Sequence, residues 1–95
     1  MTQPRSSYMA VARFRDDVSI EDIRALIPAE QAQAAALEDK GLLGVIHVAM
    51  PKRTVFIELF DTDEAGALTS LESLPLAALW DAELYETTPP AGSAL

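Results

Sequence analysis

The chain contains no cysteine. That removes disulfide staples, thiolate metal sites and cysteine nucleophiles at one stroke. It has one histidine, one tryptophan and four scattered glycines, and no glycine-rich phosphate loop. A histidine-based metal site would need carboxylates for its other ligands, and none recur at a metal-binding spacing. Neither a metal nor an organic cofactor is expected. Lysine and arginine together number only seven against fifteen acidic residues, a net charge of −8. With no basic run, the concentrated positive surface that displaces counterions from a phosphate backbone is missing, so nucleic acid is not an expected partner. No apolar run approaches a bilayer span, and the opening MTQPRSSY lacks the apolar core of a signal peptide. A cytoplasmic protein with no membrane contact is the expectation.

What is present points to one small folded domain over residues 1–95. Hydrophobic residues make up 49% of the chain, too many for a disordered segment. A core of this size is thin, so burial shared with a partner helps it. Residues 6–15 alternate as a strand. Tyr8, Ala10, Ala12 and Phe14 share one face, and Met9, Val11, Arg13 and Arg15 the other. Ser19 and Asp22 make a capping pair at a helix start. The stripe Ile20, Ile23, Ile27, Ala34 and Leu37 carries that helix to Gly41. Pro28 either kinks it or opens a second segment.

Residues 43–50 and 54–60 read as a hairpin of two strands closed by Pro51-Lys52-Arg53. Both are apolar on both faces apart from His47 and Glu58, the pattern of a sheet covered on both sides. A second helix opens at Asp61-Thr62-Asp63-Glu64, with Asp61 and Glu64 at capping-box spacing, and carries Leu68, Leu71 and Leu74 inward until Pro75 stops it. Leu76 to Leu79 fill a crossing, and residues 80–87 form the last strand, started by Trp80. The ordered core is expected over about residues 6–88, followed by a loose tail, 89–95, that lacks packing residues until its final leucine.

The order is β-α-β-β-α-β, an α+β, ferredoxin-like plan: a four-stranded antiparallel sheet with two helices on one face. Two helices leave the second face bare although it too is apolar. A second copy packed sheet to sheet is the simplest lid, so a homodimer or higher homo-oligomer is expected.

The helix end PAEQAQAAALEDKG and the segment LPLAALWDAELYE, set in this order of elements, resemble the muconolactone isomerase-like branch of the dimeric α+β barrel proteins. The likeness covers about residues 8–87. It rests on Leu74, Pro75 and Leu76, then Trp80, Asp81, Ala82 and Glu83, and on Glu30, Ala34 to Ala36 and Gly41. The resemblance implies a cofactor-independent isomerase that shifts a proton, and with it a double bond, in a small unsaturated lactone. Such chemistry requires a base beside a carbonyl and donors for the enolate oxygen.

Glu30 falls on the apolar stripe, where lost hydration raises a carboxylate pKa toward that of a useful base. Alternatively, it serves as a first-turn carboxylate of a segment begun at Pro28, or sits at the protein edge. His47 titrates in the range a proton shuttle needs, or is a packed strand histidine. Arg13 either supports a substrate oxyanion or pairs with Glu58 on the neighbouring strand. Tyr8, Phe56, Phe60, Trp80 and Tyr85 either belong to the core or line an apolar cavity between helices and sheet, and Glu58 is a further substrate-binding candidate. Two other functions stay open: a cofactor-free monooxygenase acting on an aromatic or polyketide-like substrate, and a non-catalytic small-molecule-binding or assembly protein.

Overall fold

The computed structural model describes residues 6–87; the expected loose tail lies outside the described residues. The elements are β1 (Ser6–Phe14), α1 (Ile20–Asp39), β2 (Leu43–Ala49), β3 (Thr54–Asp61), α2 (Glu64–Ser73) and β4 (Trp80–Thr87). Short 3-10 turns at Met50–Lys52 and Pro75–Leu79 join β2 to β3 and α2 to β4. The sheet order is β2-β3-β1-β4, antiparallel throughout. This α+β arrangement, four strands and two helices, fits a ferredoxin-like fold.

Local chemistry explains the boundaries. Ser19 and Asp22 form a reciprocal capping box: the Asp22 N–H donates to Ser19 Oγ (3.1 Å) and the Ser19 N–H to Asp22 Oδ2 (3.0 Å). The Ser19 N–H first, and the Ser19 hydroxyl second, hold the Asp22 carboxyl below its ordinary pKa. Helix α1 runs unbroken through Pro28. At its end Gly41 adopts φ 73°, and the N–H groups of Gly41 and Leu42 close onto the carbonyls of Glu38 and Leu37. This is the left-handed stop that glycine makes without a Cβ clash.

Three expectations need correction. The N-cap of α2 is Asp63, which accepts from Gly66 N–H at 2.8 Å; Asp61 still belongs to β3 and turns its carboxylate onto Thr62. The inner face of α2 is Ala67, Ser70 and Leu71, with Leu74 just beyond it, while Leu68 is exposed. Arg15 lies past the end of β1 rather than on its outer face, and its guanidinium donates to the carbonyls of Ala78 and Trp80. It thereby ties the crossing to the end of β1. Arg53, in the left-handed conformation at φ 53°, ties the turn before β3 to the loop after β1, donating to the carbonyls of Arg15 (2.7 Å) and Val18 (2.9 Å).

The core lies between the helices and one face of the sheet. Tyr8, Ala10, Ala12 and Phe14 of β1 and Val55, Ile57 and Leu59 of β3 point into it. The small alanines at the centre of β1 let the helices approach closely, and Leu74 and Leu76 close the end under the crossing. Trp80 is buried where β4 begins, its ring 5.8 Å from that of Phe14.

Candidate functional site

The strand β2 is irregular, and the irregularity shapes the site. Leu43 pairs with Leu59 and Ile46 with Ile57, so Gly44 and Val45 together stand opposite Glu58 alone. This bulge changes the parity of the strand. Leu43, Ile46 and Val48 consequently all face the helices, and His47, paired with Phe56, faces away.

Between α1, the crossing and this wall lies a cavity of about 410 Å³. Ile23 and Ile27 line it from the helix, Ile46 and Val55 from the sheet, and Leu76 and Trp80 from the crossing. Ile20, Val48 and Met50 form an exposed apolar lip. Two charged residues touch this space, Glu30 and Arg24.

Glu30 is only 9% exposed. Its position three residues after Ile27 and four before Ala34 continues the helix stripe, which is why the helix carries it inward. Leu76 sits in the first turn after Pro75, where its N–H has no helical partner. That N–H donates to Glu30 Oε1 at 2.9 Å, across 46 residues of chain. Burial pushes the carboxyl pKa upward, and the Leu76 bond opposes the shift without cancelling it. The result is a carboxylate with a firm position, an apolar surround and an affinity for a proton above that of an ordinary glutamate.

The other candidate residues divide between the two sides of the sheet. Trp80 lines the Glu30 cavity, and Tyr8 is buried on the same side, deeper in the core. His47, Arg13, Phe56 and Glu58 are on the opposite, open side. His47 and Arg13 are exposed, so within one subunit neither converges on Glu30. Arg13 does not meet Glu58 either: in the β1–β3 register Arg13 faces Thr54, and Glu58 faces Met9. The ion pair seen there is between Arg15 and Asp81, at 3.8 Å. A larger hollow of about 530 Å³ lies on this open side beside Arg13, Thr54, Asp81 and Glu83. Its lining is largely polar and charged, in contrast to the apolar walls around Glu30.

Arg24 is the contact that sequence reasoning missed. It stands four residues after Ile20 and three before Ile27, on the edge of the same stripe, and that spacing was the available signal. Among the described residues no three of histidine, aspartate and glutamate come together as a metal site requires. No described helix is long and apolar enough to cross a membrane. Compared with protein-family models and with curated proteins, the chain gives no match.

Proposed function

We propose that the chain is a cofactor-independent isomerase of the kind the muconolactone isomerase resemblance implies, moving a proton within a small unsaturated lactone or carbonyl compound. One observation carries this reading: the Glu30 carboxylate is held by Leu76 N–H inside an apolar cavity and has a raised pKa. Leu76 occupies Oε1, so Oε2 is the oxygen that takes the proton. It removes a proton from the carbon next to the substrate carbonyl, and the electron pair left behind delocalises as an enolate. The same oxygen returns the proton further along the conjugated system, and the double bond shifts. One base serves for both transfers when both carbons lie on the same side of the substrate. The apolar walls offer the substrate a low-dielectric surface, and Arg24 at the cavity edge places a positive charge near the developing oxyanion.

The open side of the sheet carries Phe56, Val45 and Tyr85, all exposed, together with the charged side chains of Arg13, Asp81 and Glu83. This mixed surface supports a homodimer packed sheet to sheet in the manner of the dimeric α+β barrels.

The test is turnover of a panel of unsaturated lactones and enones in deuterated buffer with a chelator present, followed by NMR. Double-bond migration is expected from the wild type, with deuterium entering at the far carbon that receives the proton to the extent that Glu30 exchanges with solvent, and both are lost in Glu30→Gln. Equal activity in that variant would overturn the assignment. The near-absence of converging polar groups favours, as the second reading, a non-catalytic binder of small apolar molecules. That reading expects probe binding with no proton exchange.

A further inference from the structure

We infer that Gly44 and Glu58, which lie on the open side of the sheet, are positioning residues for the Glu30 cavity: they hold the β2 bulge that turns an apolar wall toward Glu30 and turns His47 away from it. The inference rests on the reading of that cavity as the site.

Strand periodicity assigns each side chain a face. Side chains alternate between faces with a period of two, so a regular strand beginning at the buried Leu43 would send Val45 and His47 inward, and Ile46 and Val48 outward. The structure has the reverse beyond Val45, because one extra residue is inserted opposite Glu58. Two features keep that residue in place. The Val45 N–H donates to Glu58 Oε1 at 3.3 Å, which gives the bulged backbone a partner the ladder does not supply. Gly44 leaves room for that carboxylate. A Cβ there would run into Glu58 Oε1 and would come within 2.9 Å of the Phe60 ring. The glutamate could swing aside, but only by releasing Val45, and the ring would have to move as well. The glycine is required here for space, not for its backbone angles.

Bulge and cavity are therefore coupled through the sheet. With the bulge, Ile46 and Val48 form the wall and lip of the cavity, and Glu30 faces an apolar surface. Without it, the imidazole of His47 would enter on the side of Glu30, where a hydrogen bond or ion pair would fix the Glu30 proton. Glu58 never approaches the ligand space. Its effect travels through the register of one edge strand.

The experiment uses the full chain, labelled with ¹⁵N, as wild type, Glu58→Gln, Glu58→Ala and Gly44→Ala. The first readout is hydrogen exchange at the Val45 amide together with the nuclear Overhauser contact between the His47 and Phe56 rings. The second is binding of the neutral apolar probe N-phenyl-1-naphthylamine, followed by its fluorescence. Glu58→Gln keeps an acceptor for Val45 and is expected to match the wild type in both. Glu58→Ala is expected to speed Val45 exchange roughly fivefold, the loss of one hydrogen bond, and to weaken probe binding by about the same factor as the wall loosens. Gly44→Ala is expected to do both and to weaken the His47–Phe56 contact. Unchanged Val45 exchange and probe binding in Glu58→Ala would overturn the inference. Failure of the wild type to bind the probe would overturn the cavity reading instead, and the Val45 and His47 signals would still report whether Glu58 holds the bulge.

Discussion

The two faces of the sheet are built from the same strands and carry different chemistry. Toward the helices, β1 and β3 present Tyr8, Ala10, Ala12, Phe14, Val55, Ile57 and Leu59, all nearly inaccessible to water. Away from the helices the same strands present Met9, Val11, Arg13, Phe56, Glu58 and Phe60, and β4 adds Asp81, Glu83 and Tyr85. The first face is a core: small residues in the middle strand, larger ones beside it, and one charged group, Glu30, admitted from α1 with a hydrogen bond to meet it. The second mixes exposed apolar side chains with charged ones. The comparison shows what covering does to a carboxylate: Glu30, buried from water, binds its proton more tightly than an ordinary glutamate. On the open side Glu58 accepts from the Val45 N–H and Glu83 from the Tyr85 hydroxyl at 2.6 Å.

The largest expected effect separates the faces by activity. Glu30→Gln should lower kcat by about 10²–10⁴-fold on any substrate the wild type isomerises, the usual worth of a positioned general base. His47→Ala on the open face should leave kcat within about twofold, since it lies outside the cavity. Steady-state rates of the two variants side by side check this, and a large loss in the His47 variant would mean that the faces cooperate.

Stability gives the next contrast. Ile57, fully buried against the helices, should lose about 2–5 kcal/mol on replacement by alanine. Phe56, its neighbour in sequence and 36% exposed on the other face, should lose much less in the monomer. Urea unfolding at low protein concentration measures both. Phe56→Asp should instead act on assembly, since it puts an unpaired charge at the proposed sheet-to-sheet contact. Sedimentation velocity of the wild type should show a dimer, and that of Phe56→Asp a monomer with unchanged far-ultraviolet circular dichroism. A monomeric wild type would remove the dimer from the account.

A pH series sharpens the comparison further. Glu30 binds its proton more tightly in the folded chain than in the unfolded one. Its contribution to stability is therefore complete below the unfolded glutamate pKa and is lost as the pH rises through the folded value. Activity needs the carboxylate and should rise across that same window. Urea midpoints from acid to neutral pH should fall less steeply in Glu30→Gln than in the wild type, and the kcat profile should climb where the wild-type midpoint falls. Two curves moving in the same direction would contradict the role assigned to Glu30. The smallest expected effect lies away from both faces: Ser19→Ala should cost about 1 kcal/mol of stability through the lost cap, read by thermal unfolding, with no change in probe binding.

Much of this was legible in the residues themselves. The alternation in β1, the capping box at Ser19 and Asp22, the stops at Gly41 and Pro75 and the stripe that includes Glu30 are local patterns, fixed by backbone sterics and by periods of two and 3.6. They determine the order of elements, and through it the α+β plan. The site was only partly legible. The sequence placed Glu30 on the helix stripe but left open whether it is buried there or sits at the protein edge. That Leu76 N–H would meet it, across 46 residues of chain, was not legible at all. Asp63 rather than Asp61 caps α2 because β3 runs on through Asp61, a length set by pairing with β1.

The tertiary structure alone decided where His47 points. In the sequence LGVIHVA the histidine is four residues from a buried leucine and belongs, by simple alternation, on the same face. One bulged residue reverses that. The space at Gly44 and the carboxylate of Glu58 that together accommodate the bulge lie on different strands, and no window of sequence contains their encounter. A period of two makes a strand's outline easy to read. For the same reason, the face of any one residue depends on every residue counted before it, and the count is kept by the neighbouring strand.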